Sequence, residues 1–584
     1  MKHTLAGKDA PLEDTIETLE TILTELDLRV QPVQWLHPVS GCWSVHIRSE
    51  RCPSLYTNGK GKSRKASYAS GLAEFYERLV SGFFFSYFFV AEKDTNPFLY
   101  RPEETWFSFS DPSSLPTKSD NGKRLLNRDL IKFYDPDNEL LPEHLTDCNS
   151  GHHPNKICAL PFVSLTHQEN IFFPTGLLAN LYLSNGMAAG NNSWEARAQA
   201  LSEIIERYVK NIIISKGIAL PDIPNNQICR FPHLLKIVEE LAASNLLVKI
   251  KDGSLGGRYP VICVLLTDCE SGGVYAGFGA NLRFEVAVER TLTDLLQGRS
   301  LSMLRDFSQP SHNVELVADP MNLESHFIDS DGLLSWTMFR DKPDYPYQPW
   351  DFSGSTQREC NKLIKMINSW GFTPFCADTG SANFHGCRII VPGMFEVIDD
   401  LIWNNRWQGC TIRDQLLKLH TLDDNQIADL IDSMERLGLN DDQTVADCIG
   451  VLFEQTSPWY DFHIGELRMY CHLALRDLEQ ANHYLQWSLD SKQLLQHPKE
   501  KQYQLLASLI NLHEASEQPD DYQSQLKAVY GEQAIVQAQS LMTGSIKFPE
   551  LDTQESWQAS SPLQHELVNV YREVRSMLYQ NRPD

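Results

Sequence analysis

One stretch of this chain occurs twice without a gap, and it constrains the fold more than any other feature. Ala69, Leu72, Glu74, Glu77, Arg78 and Val80 recur in register as Ala198, Leu201, Glu203, Glu206, Arg207 and Val209. A weaker third copy over 290–297 sets Asp294 against the first Glu and Gln297 against the second. Internal repetition means that one supersecondary unit has been used several times. Strand-like text leads into the copies through Asn58-Gly59-Lys60-Gly61, through Asn185-Gly186 with Gly190 behind it, and through Gly277-Phe278-Gly279-Ala280-Asn281. Each unit therefore reads as strand, glycine-containing turn and helix.

Helical periodicity then assigns the faces. At roughly 100° per residue, Ser70, Glu74 and Glu77 share one face with Arg78 at its edge, and Glu195, Gln199, Ser202, Glu203 and Glu206 share another. The intervening Leu, Ile, Phe and Val residues form the buried stripe. A single E-x-x-E-R helix reads as a solvated face held by charge pairs one turn apart. Three such faces are different, because carboxylates gathered together repel unless a cation lies between them. Hard oxygen ligands favour magnesium or calcium over zinc, and magnesium commonly bridges carboxylates to nucleotide phosphates. Arg78, Arg207 and Arg290 suit phosphate oxygens. Glycine turns ahead of helix N-termini would offer backbone N–H groups to the same anion. The constellation points to a magnesium–nucleotide site, and no Walker A motif is present, so it is not of the P-loop kind.

Composition narrows the partners. A net charge of −25 argues against binding a phosphate backbone directly, while it tolerates a basic protein partner. The N-terminal residues Met1 to Asp9 carry no apolar signal segment, and the aromatic run Phe83 to Val90 is too short to span a bilayer, so it reads as a buried helix or strand. The thirteen cysteines are scattered singly, which fits reduced thiols in the cytoplasm. Cys148, His152, His153 and Cys158 lie in polar text that reads as a surface loop; zinc would ordinarily want a C-x-x-C pair that is missing here. Cys376, His385 and Cys387 admit a nucleophile, but the strand-like Arg388 to Pro392 beside them reads as packing. Residues 306–352 read as long loops and short strands. From residue 412 glycine thins and helical periodicity takes over, and 465–485 resembles a degenerate tetratricopeptide hairpin.

The motifs Ser70-x-x-x-Glu74-x-x-Glu77-Arg78, Asn185 to Asn191, Glu195, Glu203-x-x-Glu206-Arg207 and Glu289-Arg290 resemble the ATP-binding motifs of the YcaO superfamily. The match runs from Gly7-Lys8-Asp9 to the end, and segments such as S-N-G-M and L-L-Q-G-R place the chain near the stand-alone members. The resemblance implies an α+β fold holding ATP and Mg2+ between sheets and helices over residues 1–411. An all-α, TPR-like domain linked to homodimerisation would follow over 412–584. It implies magnesium at Glu74, Glu203, Glu206 and Asp294. Nucleotide contacts would come from Lys8, Thr15, Ser70, Glu77, Arg78, Ala188, Asn191, Glu195, Arg207 and Arg290. Two positions depart from the family pattern: Ala188 stands where a relative carries Ser, and Asp294 where it carries Glu.

Members of the superfamily phosphorylate a peptide amide oxygen with ATP, opening the carbonyl carbon to a nucleophile. Azoline-forming members end in a proline-rich P-x-P-x-P tail, whereas this chain ends Gln580 to Asp584 without one, so cyclodehydration is not expected. The stand-alone members imply instead an accessory role to a radical-SAM methylthiotransferase acting on an aspartate of a small-subunit ribosomal protein. Two functions follow: an amide-activating enzyme releasing ADP and phosphate, or a non-catalytic nucleotide-bound scaffold that recruits the methylthiotransferase through its helical C-terminus.

Overall fold

The computed structural model describes residues 4–90, 98–119, 121–146, 155–181, 184–305, 307–394, 411–490, 499–551 and 553–580. Three antiparallel sheets organise the first two thirds. The first is a meander of β1 (Val30–Val39), β2 (Cys42–Ser49) and β3 (Tyr56–Gly61). The second runs in the order β4 (Thr105–Ser108), β5 (Lys156–Ser164), β11 (Phe375–Gly380), β12 (His385–Ile390), β7 (Met187–Gly190), with β6 (Asn170–Pro174) on the side of β5. The third is β10 (Val274–Ala280), β9 (Val261–Asp268) and β8 (Leu246–Asp252).

Helix α1 (Leu12–Glu25) precedes the first sheet, and the repeats supply α2 (Arg64–Val80), α3 (Ser193–Lys216) and α4 (Phe284–Leu295). The three units are thus β3–α2, β7–α3 and β10–α4, one on each sheet. Ser63 starts α2 by accepting from the Ala66 N–H at 3.1 Å, and Asn192 starts α3 by accepting from Glu195 N–H at 3.0 Å. Gly217 ends α3 in the left-handed region at φ +57°, where a side chain would be strained.

The repeat glycines belong to the strands more than to turns, which corrects the expectation from sequence. Each helix folds straight back across its own strand, joined only by residues 62–63, 191–192 or 281–283. A Cβ at Gly59 would lie 2.0 Å from the Ser67 carbonyl oxygen, one at Gly190 would lie 2.7 Å from the Ala196 nitrogen, and one at Gly279 would lie 2.3 Å from Thr291 Oγ1. Glycine is there because helix backbone lies directly on the strand. Gly186, at φ +74°, is the exception that does occupy a turn.

Each repeat helix buries its apolar stripe in a different core. Leu72, Phe75, Tyr76 and Leu79 of α2 pack with α1 and β2 residues. Leu201, Ile204, Ile205 and Val209 of α3 join a cluster with β9, β10 and β12. Ala287, Val288, Leu292 and Leu295 of α4 join a third cluster with β8 and β9. Burying a Leu- or Ile-sized side chain contributes roughly 1.5–3 kcal/mol, so three separate cores fix three helices, whose polar faces turn toward a common centre.

Three further expectations change. Residues 307–352 hold α5 (Pro320–Ile328), a short helix over Val314–Ala318 and a 3₁₀ turn over Trp336–Phe339, in place of short strands. The Phe83–Val90 run is a short 3₁₀ turn and irregular chain, with only Phe85 and Val90 buried. Cys158 is a buried β5 residue rather than a loop residue; Cys148, His152 and His153 lie outside the described residues. Cys376 of β11 and Cys387 of β12 sit in the same core as α6 (Thr356–Ser369), and their mutual hydrogen bond, with burial adding to it, pushes the Cys387 thiol well up, which suits packing and not a thiolate nucleophile.

From Ile412 onward the described chain is helical, and residues between Ile412 and Trp557 form one hydrophobic cluster. Within it α7 (Ile464–Ala474) and α8 (Leu478–Asp490) pack as a hairpin, Trp487 lying against Gly465. The last helix, α9 (Pro562–Gln580), leaves that cluster: Leu567, Val570, Tyr571 and Val574 pack in the α1–α2 core instead. Arg51, between β2 and β3, pairs with Glu566 and, at 2.6 Å, with Glu573 on α9. Among the described residues, no helix is long and apolar enough to cross a membrane.

Candidate nucleotide site

The polar faces of α2, α3 and α4 meet across a cavity of about 960 Å³. Lys8, Thr15, Ser70, Glu74, Glu77, Arg78, Asn191, Glu195, Glu203, Glu206, Arg207, Arg290 and Asp294 all line it. Ala188 does not. Side chains alternate along β7, so Ala189 lines the cavity, while Ala188 is fully buried in the core opposite Cys387.

Protein cations answer the carboxylates of the cavity. Arg78 lies 3.2 Å from Glu74 and 3.3 Å from Glu77, and Arg207 lies 2.9 Å from Glu203. Lys60 of β3 reaches across to Asp294 of α4, joining the first repeat to the third. Glu206 accepts from the Ala280 backbone N–H at 3.1 Å, and Arg290 donates to Gln199 at 2.5 Å. The balance is incomplete. Burial pushes the Glu77 carboxyl up to about 8; Arg78 opposes this, and the charges of Glu203 and Glu74 add to it. Burial raises Glu206 as well, against Arg290 and Lys60. Burial also lowers Lys60 to about 8, with Arg290 adding to the effect.

At one end of the cavity Glu195 is only 3% exposed and gathers the N-terminal segment. It accepts from Lys8 Nζ and the Asp9 N–H, each at 3.0 Å, and from Asn191 Nδ2 at 3.1 Å. Thr15 Oγ1 completes the knot by donating to Asn191 Oδ1 at 2.9 Å. Lys8 itself is 39% exposed at the side chain, so its ammonium stands at the rim.

This donor set suits a magnesium nucleotide. Arg78 Nη1 and Arg207 Nη1 are buried without a hydrogen bond: Arg78 Nη1 meets Glu77 only as an ion pair at 3.3 Å, and Arg207 pairs with Glu203 through its other terminal nitrogen. A buried guanidinium N–H left open costs free energy unless a further acceptor arrives, and phosphate oxygens supply acceptors of that kind. The oxygens of Glu74, Glu203, Glu206 and Asp294 are hard ligands on facing helices, as magnesium requires. A volume near the top of the usual range of roughly 300–1,000 Å³ for small-molecule pockets leaves room for a nucleotide and more.

Several cavity residues escaped the sequence reading. Lys60 alternates with Gly59 and Gly61 on β3, yet those glycines suggested a turn. Lys210 was legible in principle, falling one turn beyond Glu206 on the polar face of α3. It donates to Ser330 Oγ at 2.6 Å, and burial lowers its amine to about 8. Arg299, also in the lining, closes the L-L-Q-G-R segment just beyond the third repeat, and His326 comes from a segment with no repeat to mark it.

A mixed helix-and-sheet domain with this cavity defines a protein of the magnesium- and ATP-binding class. Residues 58–395 match the family described as YcaO cyclodehydratase, ATP- and Mg2+-binding, and residues 409–579 match the YcaO cyclodehydratase C-terminal domain. The chain belongs to the YcaO family, and ATP and Mg2+ are its cofactors. It is 40% identical over 541 residues to an uncharacterized protein of Haemophilus influenzae, covering 91% of each chain. It is 38% identical over 578 residues, 98% of each chain, to a protein of Escherichia coli K12 named ribosomal protein S12 methylthiotransferase accessory factor YcaO. Among solved structures, YcaO from Methanopyrus kandleri bound with AMPPCP and Mg2+ aligns at TM-score 0.41 and 16% identity, over 67% of this chain and 93% of that one. A heterocyclase in complex with substrate and cofactor aligns at TM-score 0.44 and 18% identity, over 68% of this chain and 55% of that one.

Proposed function

We propose that this protein uses Mg-ATP to activate a backbone amide of a protein partner, and that it serves as an accessory factor in β-methylthiolation of ribosomal protein S12. The observation that carries the reading is the meeting of three repeated carboxylate faces in one cavity that also holds two buried arginine nitrogens without a hydrogen bond. In this reading Glu74, Glu203, Glu206 and Asp294 hold magnesium. Arg78, Arg207, Arg290 and Lys8 neutralise phosphate oxygens, while Ser70, Thr15, Asn191, Glu77 and Glu195 shape the rest of the nucleotide's bed. Bound ATP supplies a phosphoryl group whose transfer to an amide oxygen makes phosphate a leaving group at that carbon. The chain's own contribution is positioning and fixed charge, which is where most catalytic stabilisation in phosphoryl transfer originates.

The accessory role rests on the E. coli relative's name, and the net charge of −25 suits a basic ribosomal protein. We place a domain boundary at 411/412, assign homodimerisation and contact with a radical-SAM methylthiotransferase to the C-terminal helices, and expect the protein to work in the cytoplasm without binding nucleic acid directly. The word accessory in that name also favours a second reading, in which bound ATP is structural and the protein only recruits the methylthiotransferase.

Phosphate release separates the two. With Mg-ATP and purified S12, the amide-activating reading expects ADP and phosphate to form faster than without S12. Tight Mg-ATP binding with no S12-stimulated phosphate release would establish the scaffold.

A further inference from the structure

Lys60 lies on the strand of the first repeated unit, outside the repeated carboxylate helices. Its ammonium ion-pairs with Asp294, and the carboxylates of Glu206, Glu74 and Glu203 lie close enough to act on its charge. Those are the four side chains assigned above to magnesium, contributed by all three repeat helices. Lys60 reaches them from β3, where Gly59 and Gly61 on either side let the strand lie against the α2 backbone. Among the described residues, no three metal-binding side chains are already gathered as a cation site. The ammonium of Lys60, the guanidinium of Arg78 and that of Arg207 each hold one of the carboxylates apart.

We infer that Lys60 is an internal counter-cation that stands in for magnesium in the nucleotide-free protein, so that metal binds only when a nucleotide arrives with it. Two cations a few ångströms apart repel strongly in a partly buried site. A bare Mg2+ ion would have to approach Asp294 against the Lys60 charge. A polyphosphate removes that obstacle, since it offers the lysine and the arginines new acceptors and frees the carboxylates they hold. Lys60 would then couple metal to nucleotide, exchanging Asp294 for a phosphate oxygen as the metal enters. The consequence is selectivity: free magnesium, abundant in any cell, does not load the site and collapse it.

This inference rests on the magnesium assignment made above, and the test separates the two. Calorimetry of MgCl2 alone, without nucleotide, is run on the full-length chain and on Lys60→Met, with thermal melting in Mg2+ and in EDTA alongside. The wild type is expected to show no saturable heat at low-millimolar Mg2+ and the same melting temperature in both. Lys60→Met should bind Mg2+ alone at least about tenfold more tightly, for loss of a like charge at such short range, and should melt higher in Mg2+ than in EDTA. Lys60→Met combined with Asp294→Asn should lose that gain. Should Lys60→Met fail to fold, Lys60→Gln reads the same quantity.

Wild type that binds Mg2+ alone as tightly as the variant overturns the inference while leaving the Mg-ATP site intact. So does a folded variant that gains nothing while wild type still takes up Mg-ATP. If wild type takes up no Mg-ATP at all, the magnesium assignment fails and the role of Lys60 fails with it.

Discussion

Two glutamates, one in each part of the molecule, show how differently the same side chain is used. Glu466 in the C-terminal helical region is 1% exposed. Burial alone would raise its carboxyl, but bonds from His463, Lys499 and Tyr503 outweigh that and hold it below the usual range. Glu77 on α2 faces the cavity, and there burial wins: its carboxyl rises to about 8, with Arg78 opposing and Glu203 and Glu74 reinforcing. Donors saturate the first glutamate and close a network. Like charges crowd the second, with too few donors to answer them. A structural carboxylate is recognised by completed bonding and a site carboxylate by unfinished electrostatics.

The comparison can be broken most forcefully at the saturated end. Glu466→Ala removes the acceptor that His463, Lys499 and Tyr503 share, and is expected to cost about 4 kcal/mol in urea denaturation. Affinity for Mg-ATP should be unchanged. Loss of nucleotide binding in a folded Glu466→Ala protein would tie the two regions together in a way this account does not contain. Next comes Gly59→Ala, whose Cβ would meet backbone 2.0 Å away. Parting β3 from α2 is expected to cost about 3 kcal/mol and, unlike Glu466→Ala, to weaken nucleotide binding too.

Acid and base sharpen the contrast, because the two glutamates carry opposite signs. A carboxyl raised from 4.5 to about 8 keeps its proton in the folded state while the unfolded chain has lost it. Stability from Glu77 therefore falls as pH rises from 4.5 towards 8 and levels off beyond. Glu466 is depressed, so its contribution is present above pH 4.5 and disappears as pH falls through its folded value. Denaturation midpoints followed from pH 2 to 9 should lose the falling limb in Glu77→Gln and the acid limb in Glu466→Gln. The smallest effect belongs to Gly438→Ala: at φ +60° with open space around it, the change should cost only about 1 kcal/mol, again by urea denaturation.

Much of the site was legible in the sequence for a simple reason. The helical period is local, so Glu74, Glu77, Glu203 and Glu206 could be set on faces without knowledge of the fold, and duplication showed that those faces matter. What stayed hidden depends on contacts between elements. Gly59, Gly190 and Gly279 look like turn residues until α2, α3 and α4 are seen lying on their own strands. Ala188 and Ala189 are interchangeable in text, and only the pairing of β7 with β12 says which one faces the cavity. Lys60 and Asp294 stand 234 positions apart, and no local pattern pairs them. The helices of 314–328 are short and flanked by Asp and Pro, which reads as loop. The change of texture at 412 was visible, but the return of α9 to the α1–α2 core was not, since its apolar stripe does not say which partner covers it.

The central claim is that the repeated carboxylate faces bind magnesium together with ATP. Calorimetric titration of ATP with and without Mg2+, into wild type and Glu203→Gln, addresses it most directly. Magnesium-dependent binding by wild type, weakened about a hundredfold in a Glu203→Gln protein of unchanged stability, a loss of about 2.7 kcal/mol, is the result expected. Equal affinity in the two proteins would contradict it, and would leave three acidic helices converging on a cavity for reasons of architecture alone.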